Sequence, residues 1–207
     1  MKYLTLLSLL LFTPTSWGQC TGPAKTHATL QWSEAAKVIS PDHLWEIDVH
    51  PVLNTDENRS PVTISKCGES KSWPLFTLQR SAEVFWSPDS KHVLVVDQPL
   101  SGTNKLLIVS TGVEGGAPDG LDKTVNETLA ERLGREKHAQ FFLPKFVSWK
   151  GDNLLLAVGG AAYGAGDGPL IPYCYGVKIS SSTLHVESIL SEKELKTSTG
   201  HSCQVSP

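Results

Sequence analysis

Between Val84 and Asp97 the chain reads VFWSPDSKHVLVVD, two runs of β-branched and aromatic residues separated by a polar corner. Such side chains suit a pleated, half-buried surface. At the corner Pro88 presets a turn dihedral, and Asp89 accepts hydrogen bonds from backbone N–H groups. The stretch therefore predicts a tight strand–turn–strand. Ser-Pro-Asp recurs at Ser40–Asp42 within ISPDHLWEIDV, and a diverged copy, VSWKGDNLLLAV, starts at Val147. Aligned on Ser40, Ser87 and Ser148, each copy has a strand before the turn and a strongly apolar strand after it. Repetition over intervals of this length suits successive blade-like sheets, the longer second interval leaving room for an insertion.

The rest of the chain has the same texture. Strands are expected at Ala28–Trp32, Leu44–Val52, Val62–Lys66, Trp73–Gln79, Ala82–Trp86, His92–Asp97 and Lys105–Ser110. Four more follow at Lys145–Trp149, Asn153–Val158, Tyr175–Ser180 and Leu184–Leu190. One segment breaks the rhythm. In LDKTVNETLAERLGREKHAQ, Val125, Leu129 and Leu133 recur every fourth residue, which predicts a helix over Lys123–Leu133 in an insertion near 121–138. A single apolar stripe of this kind faces its own core more often than a partner. The tail from Ser191 reads as polar and irregular, tethered by Cys203.

VFWSPDSKHVLVVDQPLSGTNKLLIVS resembles one repeat of the WD40-like, TolB-type β-propeller family. The likeness is best over 82–110, fair over 37–79 and poor over 145–190. It implies a mainly β, propeller-like array of about three antiparallel sheets with one inserted helix; the alternative is a two-sheet β-sandwich. It also implies a scaffold that binds proteins or ligands, and no particular chemistry. If the repeats are equivalent, Ile47, Val93, Val95 and Leu155 should be buried. The turns at Ser87–Ser90 and Lys150–Asn153 should then be exposed, so that Ser90→Asp would be nearly neutral.

The first residues, MKYLTLLSLLLFTPTSWGQC, have the order of a signal peptide over 1–18: Lys2, an apolar run from Leu4 to Phe12, then small Ser16 and Gly18 before cleavage at Gln19. A lipid anchor on Cys20 would need a small residue in place of Gln19. What remains, 19–207, suits a single β-rich domain, periplasmic or secreted, with no later segment apolar enough to span a membrane. In that setting Cys20, Cys67, Cys174 and Cys203 point to two disulfides, since their spacing is too wide for a zinc site. One pairing, Cys20–Cys203 with Cys67–Cys174, would fasten the two ends; the local alternative is Cys20–Cys67 with Cys174–Cys203. The 18 Lys+Arg and 21 Asp+Glu form no block of one sign, which argues against nucleic-acid binding.

No nucleophile elbow, zinc-protease motif or phosphate loop is present, so no catalytic, cofactor or metal residue is assigned. Asp48 and His50, two apart on one strand, could share a pocket with Glu46, and a cell-envelope hydrolase built on such scattered residues is the alternative to a binding protein. A solvated strand face explains them more simply. The Gly-rich AVGGAAYGAGDGPLIPYCYG reads as a long loop whose Gly160, Tyr163, Gly164 and Asp167 could meet a partner. GGAAY is similar to the Ser-Gly-Ala-x-Tyr loop of periplasmic lysozyme inhibitors, with Gly160 in place of the serine. An enzyme inhibitor acting through this loop is a further expectation. The leading one is an exported, non-catalytic module that binds another protein of the cell envelope or exterior.

Overall fold

The computed structural model describes residues 18–52, 59–100, 103–111, 119–132, 141–163 and 169–203. Most of the expected signal peptide therefore lies outside the described residues. The elements run β1 (His27–Gln31), β2 (Ala36–Ile39), β3 (Trp45–Val49), β4 (Ser60–Lys66), β5 (Ser72–Leu78), β6 (Ser81–Trp86), β7 (His92–Leu100), β8 (Thr103–Ser110) and β9 (Asp119–Gly120). After these come α1 (Leu121–Arg132), β10 (Phe141–Lys150), β11 (Asn153–Tyr163), β12 (Leu170–Ser180), β13 (Val186–Ser191) and α2 (Glu192–Thr199). The strands form two sheets. One is four-stranded, in the order β2-β3-β4-β5. The other is nine-stranded, β1-β6-β7-β8-β10-β11-β12-β13, with β9 beside β8. The arrangement is mainly β and sandwich-like, and among the described residues neither sheet closes on itself.

Alternation explains the packing. On β7, Val93 and Val95 face the four-stranded sheet and share a core with its Ile47 and Val62 and with Trp86 of β6, while Leu94 and Val96 face the opposite way. That second face packs on Leu154, Leu156 and Val177 from the far half of the large sheet. The large sheet folds over itself, because β8 and β10 share one parallel residue pair, Phe142 with Thr103. Helix α1 lays Leu121, Val125 and Leu129 into this second core, so its apolar stripe faces the protein's own interior. Leu133, the last residue of that stripe, lies outside the described residues.

The two Ser-Pro-Asp corners are built alike. Ser40 Oγ donates to Asp42 Oδ1 (2.6 Å) and accepts the Trp45 N–H (3.0 Å), and Asp42 Oδ1 accepts the Leu44 N–H (3.0 Å). Ser87 Oγ donates to Asp89 Oδ1 (2.7 Å) and accepts the His92 N–H (2.9 Å), and Asp89 Oδ1 accepts the Lys91 N–H (3.2 Å). The residue after each aspartate is left-handed, His43 at φ 61° and Ser90 at φ 59°. The corners also touch, the Asp42 N–H donating to Ser90 Oγ at 3.0 Å. The third copy departs. Its turn is the two-residue Gly151–Asp152 between paired Lys150 and Asn153, with Gly151 at φ 57°.

Several expectations need correction. Ile47, Val93 and Val95 are fully buried, but Leu155 is only half-buried; Leu154 and Leu156 face the core instead. Ser87 and Ser90 are buried within a corner expected to be exposed, because that corner packs against its neighbour; Pro88 and Asp89 alone face solvent there. The disulfides are Cys20–Cys67 and Cys174–Cys203, the local pairing, since Cys20 is held beside the small sheet and Cys203 beside β12 of the large one. The tail is not irregular. Ser191 and Glu194 form a reciprocal capping box, Gly200 at φ 75° ends α2, and Leu195 is buried against β12 and β13, giving a second helix where one was expected.

Candidate interaction site

The Gly-rich stretch expected to be a loop is largely sheet. β11 and β12 pair from Asn153–Ser180 out to Tyr163–Leu170, so only 164–169 separates the strands. Gly160 lies in extended backbone between two aromatic residues on one face, Phe142 of β10 and Tyr173 of β12. Both rings are buried, and the missing Cβ between them gives them room. Gly159 faces the other way, between Leu143 of β10 and Cys174 of β12. Of the named interaction residues, Gly160 is therefore an interior strand position, Tyr163 ends β11, and Gly164 and Asp167 lie outside the described residues.

Among the described residues, the far part of this hairpin has no strand neighbour: β10 pairs with β11 as far as Ala161, and β13 joins β12 from Tyr175. The outer edge of β12 from Leu170 to Cys174 is thus unpaired among the described residues. On that edge Leu170 and Ile171 are 41% and 43% exposed, and Pro172 follows them into solvent. Adjacent exposed apolar side chains on an open edge mark an interaction surface or an aggregation hazard. The proline withholds one backbone donor and limits indiscriminate strand pairing. The Cys174–Cys203 disulfide anchors the base of the arm, and the Tyr173 hydroxyl beside it is pushed up to about 12 by burial.

The acid–base group is spread over an open face. Lys37 Nζ lies 3.2 Å from Glu46 Oε1 and 3.1 Å from Asp48 Oδ2, all three at the solvent side of the four-stranded sheet. Hydrogen bonds to Asp48 and then Glu46 hold the Lys37 ammonium above its ordinary value. His50 turns elsewhere, to Thr63 Oγ1 at 3.2 Å. The structure thus brings Glu46 and Asp48 together over a lysine and leaves the histidine out. Ligand atoms of Cys20, Glu46 and Cys67 fall within 4.8 Å of one another, but both sulfurs are spent on a disulfide and hold no lone thiolate for a metal.

Asp97 was passed over in the sequence. It continues the Val93–Val95 face of β7 inward, opposite Ala82 and Lys105, and is 4% exposed. Its Oδ1 has no hydrogen-bond partner among the described residues. Burial pushes the carboxyl up to about 6, against the pull of the Lys105 ammonium. The signal was available: an acid in phase with buried valines. No family model matches the chain, and no curated protein matches it either.

Proposed function

We propose that the protein is an exported, non-catalytic interaction module whose sheets form an arc of propeller-like blades, and that it grips a protein partner through the β11–β12 arm. The observation that carries this reading is the exposed Leu170-Ile171-Pro172 run on an unpaired edge, held rigid at its base by a disulfide. The two disulfides fit an oxidising compartment. The blade reading draws on the matching Ser-Pro-Asp corners and on central strands buried on both faces.

The partner is expected in envelope or extracellular material. Mature protein immobilised on beads should retain one partner in stoichiometric amount, and Leu170→Asp/Ile171→Asp should release it without altering the melting temperature. Retention by that double variant would move the contact elsewhere. Turnover of a hydrolase substrate lost in His50→Ala would replace the binding reading with an enzyme.

A further inference from the structure

A second surface lies along β10. At Phe142 both edges of this strand are paired, to Gly160 of β11 and to Thr103 of β8. From Leu143 to Lys150 only the β11 side is paired among the described residues. Pro144 is still buried, but beyond it none of residues 145–150 is fully buried, whereas 156–160 of the doubly paired β11 all are. Pro144, which has no N–H for a ladder, sits in this edge strand, as prolines in sheets do.

The two faces of the open edge differ in chemistry. Val147 is the extra residue of a bulge between Phe146 and Ser148. It shifts the alternation by one, so that Phe146 and Trp149, three apart, both face inward opposite Leu156 and Leu154. Phe146 stacks on Phe85 of β6 at 4.3 Å, and His27 of β1 covers the next position at 4.5 Å from Phe85. Trp149 lies 6.4 Å from Phe146 and 6.4 Å from His92. The result is an aromatic seam running beside the open strand. Lys145, Ser148 and Lys150 take the opposite face. Both lysines are exposed, and neither meets an acidic group among the described residues.

We propose that the open edge of β10 accepts an extended segment of another protein in which apolar and acidic residues alternate. Such a strand would take up the free N–H and C=O groups of 143–150, set its apolar side chains against Phe146 and Trp149, and present carboxylates across from Lys145 and Lys150. A second copy of this chain is the wrong occupant. Edge-to-edge pairing would bring like-charged lysines together, which is how edge strands resist their own kind.

The test uses the oxidised, mature protein and two blocked octapeptides, one of alternating Glu and Val and one with Lys replacing every Glu. Amide hydrogen exchange by NMR is followed for 143–150. The Glu peptide should slow alternate amides along this edge and bind about tenfold or more tightly than the Lys peptide. In Lys145→Glu/Lys150→Glu, two exposed positions, the preference should invert. Equal protection by both peptides, no protection by either, or protection that rises with protein concentration alone would overturn the proposal.

Discussion

Asp97 makes stability depend on pH in a direction opposite to that of an ordinary surface aspartate. Its carboxyl is raised from 3.8 to about 6 by burial, with one oxygen unpartnered among the described residues and the Lys105 ammonium pulling the other way. A carboxyl raised in the folded state binds its proton more tightly there than in the unfolded chain. Stability is then fully present below about pH 4 and falls as pH rises through 4 to about 6. Two pKa units correspond to about 3 kcal/mol, and this is a ceiling, because the exposed Lys105 at the rim admits solvent that screens the charge. Asp97→Asn keeps the shape and removes the charge. Urea unfolding of oxidised protein at several pH values between 4 and 7 should show wild type losing stability across this window, with Asp97→Asn flat there and more stable at pH 7. Lys105→Met should steepen the wild-type loss. If Asp97→Asn declines with pH as wild type does, the buried charge is not the cause and the reasoning fails.

Other outcomes follow from the same packing. Ser40→Ala and Ser87→Ala should each cost about 1–3 kcal/mol in urea titrations, since each hydroxyl serves two bonds at a buried corner. Ser90→Asp should destabilise rather than be neutral, because it would bury a carboxylate against the neighbouring corner. Val95→Asp, fully buried between the sheets, should cost several kcal/mol and leave little folded protein at physiological temperature. Non-reducing peptide mapping should recover Cys20 with Cys67 and Cys174 with Cys203; at separations of 47 and 29 residues, losing either link should cost about 4 kcal/mol. Ser191→Ala should cost about 1 kcal/mol in the same titration, because it opens the α2 capping box.

What the sequence disclosed was local. The Ser-Pro-Asp corners were legible because side chain, proline and turn residues act within six positions, and the structure repeats their hydrogen bonds in both copies. The α1 stripe was legible for the same reason. The capping box of α2 was equally local, written as Ser191-Glu192-Lys193-Glu194, but the polar tail distracted from it. The remaining errors are non-local. Gly159 and Gly160 read as loop until Phe142, Tyr173 and Cys174, distant in sequence, are seen flanking them. Strand β2 is four residues long and gains its identity from β3. Cysteine pairing follows from which sheet holds each chain end, and four cysteines alone leave that open.

The position of the two proposed interaction surfaces follows from the way the core is distributed. Strands β6, β7 and β8 contribute side chains to both cores: Val84 with Phe85, Val95 with Leu94, Val109 with Ile108. A strand buried on both faces and paired on both edges has no surface left to offer a partner. The inner corner between the first two Ser-Pro-Asp turns is likewise consumed by its own hydrogen bonds. On the N-terminal side, the edge of β6 is covered by β1, and Ala24 pairs beside Ile39 of β2. Among the described residues, the later half of the large sheet leaves edges open where β12 outruns β13 and β10 separates from β8 after a single pair, as does the outer edge of β5 in the small sheet. The two proposed surfaces thus fall where the repeat is least regular, while the paired Ser-Pro-Asp corners are tied together by their own hydrogen bonds.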